Sequence, residues 1–271
     1  LSSSSAASDV YKRQPTATLT PTATPVTTLT VSLTPTLTVS PTLPVSPTLE
    51  ATIEAVKKVL IGKFDASRAL VLLYGGPHAI TGTNVMMAVP FQQNGLDKYL
   101  LISEIPGDAC PACRASIGGA IFVQTDNAWE IDVEQRHITT LGVLGRAPEG
   151  TFTQIGADQY GVLFNDSYVE NNRSGERIVL ISEAENSLRV VLAVETAVTH
   201  FEEGGDGDIA WAYESDLSFI EGDNPEYDDV QITTHGSRPI EGVITKFEKV
   251  KTYTFGRRDY YLLEQETRVS P

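Results

Sequence analysis

The sequence predicts a mainly β fold, built of antiparallel sheets in a sandwich, open-barrel or propeller-like arrangement, with one N-terminal helix. Three observations carry this expectation. Beyond residue 68, short runs rich in Val, Ile, Leu, Thr, Tyr and Phe recur, each bounded by Gly, Asn, Asp or Pro. Between them stand Gln93-Asn94-Gly95, Thr125-Asp126-Asn127, Ala184-Glu185-Asn186 and Gly256-Arg257-Arg258, spaced for hairpins, with Asn-Gly the strongest signal. No long helical pattern alternates with the strands, which argues against a parallel α/β sheet. No repeat of propeller length and signature is present.

Taken in order, Glu50 to Gly62 reads as an amphipathic helix, with Ile53, Val56, Val59 and Leu60 at helical spacing and Gly62 as its stop. The strands expected after it are Ala69 to Tyr74, Asn84 to Phe91, Lys98 to Ile105, Gly119 to Gln124, Ala128 to Val133, Thr151 to Ile155, Gly161 to Phe164 and Arg177 to Ile181. They continue with Leu188 to Val194, Ile209 to Tyr213, Asp229 to Thr234, Val243 to Phe247, Lys251 to Phe255 and Tyr260 to Leu263.

The chain divides into three sections: 1–14, 15–50 and 51–271. Ser4 to Gln14 resembles the in-frame translation of a transposase-type sequencing adapter, so these residues are expected to be an artefact that replaces the true N-terminus. Pro15 to Leu49 contains only Thr, Pro, Leu, Val, Ser and Ala, with seven prolines and no charge. Each proline removes an N–H donor and holds its predecessor extended, so neither helix nor sheet propagates. At ~3.1 Å per residue such a spacer reaches on the order of 100 Å.

Composition excludes several function classes. The 271 residues carry a formal charge of −15, with 35 acidic side chains against 20 basic ones. Lys12 and Arg13 outweigh Asp9 by one, and the spacer is uncharged, so residues 50–271 carry −16, one more negative charge than the −15 of the whole chain. Such an acidic domain does not match nucleic-acid phosphates, which require clustered Lys and Arg. No run approaches the ~18 apolar residues of a membrane span. Two cysteines neither build a disulfide scaffold nor close a four-ligand zinc site.

The sharpest local motif is Cys110-Pro111-Ala112-Cys113. Only Arg114 to Ile117 separate it from Gly118-Gly119, too few residues for the helix of a thioredoxin-like site. Arg114 stands where a c-type haem motif needs His. His78, His137, His200 and His235 are scattered rather than paired at metal-ligand spacing. A structural disulfide between Cys110 and Cys113 is the expectation, with a redox or metal role for the pair as the alternative. Closing so short a loop contributes about 2 kcal/mol. The wider stretch C-P-A-C-R-A-S-I-G-G-A-I-F, followed by Trp129, together with the Thr/Pro spacer, resembles uncharacterised exported bacterial proteins of lipoprotein type. That resemblance implies an extracytoplasmic location and anchoring through the missing N-terminus; it implies no activity.

Glu202, Glu203, Asp206 and Asp208 fall in one Gly-rich loop and form a weak Ca²⁺ candidate, since hard cations favour several oxygens on flexible loops. Glu221, Asp223, Asp228 and Asp229 form a second acidic stretch. Their spacing fits no helix-loop-helix calcium loop, so solvated acidic turns are the simpler expectation. No G-x-S-x-G elbow occurs, and Tyr74-Gly75-Gly76-Pro77-His78 reads as a turn closing a strand. Tyr253, Phe255, Tyr260 and Tyr261 fall on the final hairpin, and Trp129 and Trp211 in strands; core is the expected place for such aromatics. The sequence thus points to a stalk-displayed β module, non-catalytic, with a cell-wall, carbohydrate or protein partner, and assigns no catalytic residue.

Overall fold

The computed structural model of the chain describes residues 59–77, 81–170, 173–202 and 208–269. The elements in order are β1 (Val59–Ile61), α1 (Ala66–Tyr74), β2 (Asn84–Gln93), β3 (Leu96–Ile105), β4 (Ala115–Thr125), β5 (Ala128–Leu141) and β6 (Gly150–Gly156). They continue as β7 (Gln159–Glu170), β8 (Arg173–Ala184), β9 (Ser187–Phe201), β10 (Ile209–Ile220), β11 (Asp229–Ile240), β12 (Val243–Phe255) and β13 (Tyr260–Val269). Two sheets result, a five-stranded one in the order β1-β5-β4-β3-β2 and an eight-stranded meander running from β6 to β13. Every pairing is antiparallel, as the hairpin signals and the lack of alternating helices predict.

Turn chemistry sets the register. Asn94 and Gly95 have φ of 53° and 74°, and Glu185 and Asn186 have φ of 52° and 59°. Paired positive φ values are those of two-residue turns whose twist matches the flanking strands. The β2–β3 and β8–β9 hairpins therefore close with Gln93 opposite Leu96 and Ala184 opposite Ser187.

The central strands of the five-stranded sheet, β3 and β4, are buried on both faces. Alternation sends Leu101, Ala120, Phe122 and Trp129 to one side, where they meet Ala69, Leu70 and Leu73 of α1. Leu100, Ile102, Ile121 and Val133 point the other way, against Val162, Phe164, Val179 and Ile181 of the larger sheet. That sheet curls on itself: Leu180, Val191 and Leu192 share a core with Val230, Ile232, Phe255 and Tyr260, residues of strands that are not their neighbours in the meander. Register shifts at Glu176/Arg177 and Leu180/Ile181 in the β8–β9 pairing add the local bend that a curl needs.

One helix is present near the N-terminal side, at a different place from the expected one. Val59–Ile61, expected to end a helix over 50–62, pairs with Ala128–Glu130 as a strand, and the remainder of that expected helix lies outside the described residues. The helix is instead Ala66–Tyr74, where a strand was expected over 69–74. The Asp65 side chain accepts from the Arg68 N–H at 3.0 Å, and Gly75 closes the helix with φ 84°, its N–H donating to the Val71 carbonyl. Ala66, Ala69, Leu70 and Leu73 then fall on one face, which outweighs the β tendency of the A-L-V-L-L-Y run. Val243 to Phe247 and Lys251 to Phe255, expected as two strands, are one strand.

Leu73 is fully buried between α1 and the sheet. Leu73→Ala is expected to cost about 2–5 kcal/mol and to lower the urea midpoint without altering the slope of the transition. An unchanged midpoint would contradict the docking of α1.

Candidate functional site

β7 and β8 pair without a break from Gly161↔Ser182 to Glu170↔Arg173. The face of this ribbon that meets the five-stranded sheet begins with Val162↔Ile181 and Phe164↔Val179 in the core. Alternation carries the same face outward through Asp166↔Arg177, Tyr168↔Gly175 and Glu170↔Arg173. A Cβ on Gly175 would lie 2.6 Å from the Tyr168 ring, so a glycine there is what lets that ring lie across the strand. On β9 the face continues with Glu195 opposite Arg177 and His200 opposite Arg173, and on β10 with Trp211 opposite His200.

Asp166 is completely buried. Its Oδ2 accepts from Arg114 and from Arg177 Nε, the latter at 2.6 Å, while its Oδ1 accepts from the Gly142 N–H at 2.7 Å. Burial alone would raise its pKa; the bonds from Arg114, Gly142 and Arg177 outweigh that and hold the carboxyl below its ordinary range. Two of those three donors come from the loops that the disulfide organises. Cys110 and Cys113 are joined, with Cα atoms 5.0 Å apart, directly before Arg114. The Gly145 N–H donates to the Cys113 carbonyl at 2.8 Å and the Gly107 N–H to the Gly145 carbonyl at 3.0 Å, which stitches the cystine loop to the 142–145 turn. Gly142 has φ 85° in that turn, a conformation that costs a side chain strain, and this aims its N–H at Asp166.

Beside this lock, Glu195 accepts from Tyr168, Tyr213 and Arg173. Burial, followed by the adjacent Glu195, pushes the Tyr168 phenol up to about 12 and raises Tyr213 for the same reasons. Burial works against the charge on Arg173, yet Glu195 and the two phenols hold its pKa above the usual guanidinium value. Arg114, Tyr168, Glu170, Arg173, Arg177 and Glu195 line a cleft of about 280 Å³. Its outer continuation is a row of flat rings, His200 stacked on Trp211 at 5.2 Å and Trp211 beside Tyr213 at 6.2 Å.

The expected site residues are distributed otherwise. Of the calcium candidates, Glu203 and Asp206 lie outside the described residues, and the Glu202 N–H donates to the Asp208 carbonyl at 2.9 Å. Among the described residues no three of His, Cys, Asp and Glu gather closely enough to hold a metal ion. Phe255 and Tyr260 are core, Trp129 is buried against α1, and Tyr261 is exposed. Tyr74-Gly75-Gly76 closes a helix rather than a strand, and His78 lies outside the described residues. Sequence reasoning singled out none of Asp166, Tyr168, Arg173, Arg177 and Glu195. The signal open to it was R-S-G-E-R, two arginines two steps either side of a glycine on one strand face.

Asp166→Asn removes the counter-charge from two partly buried guanidinium groups and is expected to cost about 3–5 kcal/mol. Because the folded carboxyl titrates below the unfolded one, its contribution is present above the ordinary carboxylate range and is lost as pH falls through the folded value. Urea midpoints between pH 7 and pH 3 are expected to fall more steeply for the parent than for the variant; parallel curves would contradict the lock.

No protein-family model, no curated protein and no solved structure matches the chain.

Proposed function

We propose that the chain is an extracytoplasmic β-rich module, displayed on its Thr/Pro spacer, that binds rather than catalyses. The ionisation of the cleft carries this reading. General acid–base work needs groups that titrate near the working pH. Here Asp166 is held ionised, Tyr168 and Tyr213 are held uncharged, and Arg173 is held cationic, the pKa of each moved further from neutral pH by burial or by its partners. Fixed charges and fixed donors suit recognition.

Display rests on two supports. The first is the uncharged, seven-proline stretch from Pro15 to Leu49, which suits a spacer that keeps a domain away from a surface. The second is the cystine. Disulfides persist in oxidising compartments, and this one braces Arg114 and the 142–145 turn rather than a helix N-terminus that would activate a thiol. None of the helices among the described residues is long and apolar enough to cross a membrane.

The alternative is a thiol-disulfide or metal-dependent protein using Cys110 and Cys113. Reduction separates the two readings. With a structural cystine, dithiothreitol is expected to lower stability by about 2 kcal/mol, and the freed thiols to react with a disulfide reagent no faster than an ordinary thiol. Fast reaction and reversible cycling at neutral pH would favour the redox reading. Display is tested in the native host: antibody to the folded domain is expected to label intact cells, and labelling only after permeabilisation would overturn it.

A further inference from the structure

We propose that the Arg114–Arg173–Arg177 cleft is a binding site for the anionic group of an acidic saccharide, with the carboxylate of a uronic acid as its fitting occupant. This deepens the binding reading above and rests on it. Three guanidinium groups converge on one cleft of a chain whose net charge is −15. Their donors exceed the protein's own acceptors. Arg177 reaches Asp166 through Nε alone, at 2.6 Å, so both its terminal nitrogens are free of hydrogen bonds among the described residues. Arg114 and Arg173 each give one terminal nitrogen to a carboxylate, and the Nε of each is buried without a partner. Asp166 is fully buried, Glu195 in the cleft wall already accepts from Tyr168, Arg173 and Tyr213, and Glu170 is at the exposed rim, so the donors left over for an entering ligand are the unused guanidinium N–H groups.

A carboxylate accepts from a guanidinium through two parallel N–H···O bonds, and the planar fork rewards that shape over a point charge. The preorganisation is already in place. Asp166 and Glu195 fix the planes of Arg177, Arg114 and Arg173, and Tyr168 lies 5.7 Å from the Arg173 guanidinium carbon. The saccharide half of the proposal comes from the neighbouring rings. His200, Trp211 and Tyr213 stack on one another, each within 14° of parallel to its neighbour, on the same sheet face, and the half-buried aromatic surface they leave beside the arginines suits the apolar C–H side of a pyranose ring. A free oxyanion would use the arginines alone.

The test is calorimetric titration of the purified chain, at about physiological salt, with a galacturonate trimer, a neutral glucose trimer and sodium sulfate. The galacturonate trimer is expected to bind, the neutral trimer not to, and sulfate to bind at least tenfold more weakly. Arg177→Gln and Arg173→Gln, each checked for an intact thermal transition, are expected to weaken the trimer about tenfold or more, the loss of a charge-assisted hydrogen bond. Glu170→Gln removes an exposed rim charge, leaves the Asp166 lock untouched, and is expected to tighten binding about two- to fivefold. Equal affinity for the acidic and neutral trimers, or unchanged affinity in folded arginine variants, would overturn the site. Sulfate matching the trimer would overturn the saccharide assignment. These outcomes concern purified protein and are read independently of cell-surface labelling, so failure here and failure of display are distinct results.

Discussion

The carboxylate of Asp166 is the point on which the architecture and the cleft both depend. It projects from β7 of the larger sheet and accepts from Gly142, which follows β5 of the smaller sheet, and from Arg114, which precedes β4. A fully buried carboxylate is costly unless every oxygen is satisfied. Here both oxygens are, by donors delivered from two loops and a neighbouring strand. The two sheets are thus joined by apolar packing along most of their contact and by one charged lock at its edge. The lock also marks where the dry interface gives way to the polar cleft.

Seen from Asp166, the cystine is a positioning device. A four-residue ring contributes little to global stability, because it removes little freedom from the unfolded chain. Its place in the structure is more telling than its energy. The Cys113 carbonyl holds the 142–145 turn through Gly145, and the next residue is Arg114. One covalent link therefore steadies two of the three donors to Asp166. Arg177, the third, is fixed by the strand ladder between β7 and β8.

Much of the fold was legible in the residues. Antiparallel pairing followed from turn chemistry at Asn94-Gly95 and Glu185-Asn186, and most strands followed from runs of β-branched and aromatic residues. Two of the errors share one cause. Apolar content identified Ala69 to Tyr74 as a strand although Asp65 and Gly75 cap a helix, and it ended β7 at Phe164 and began β8 at Arg177, where the apolar alternation stops. The strands run on, to Glu170 and back to Arg173, because a backbone ladder needs no apolar side chains once its neighbours hold it. The cleft lies on those polar extensions, so a reading led by hydrophobicity passed over it.

By itself, then, the sequence determined the uncharged, proline-rich composition of Pro15 to Leu49, the acidity of the residues beyond it and the strand-rich antiparallel class, and it made a Cys110–Cys113 disulfide the expectation that the structure bears out. These are local or compositional properties: proline geometry, charge, turn preference and short-range ring closure. Only the tertiary structure decided that Arg114, Asp166, Tyr168, Arg177, Glu195 and Tyr213, spread over about a hundred residues, meet at one place. Strand order, register and the curl of the larger sheet set that meeting, and each depends on contacts between distant segments whose energies no local window of sequence contains.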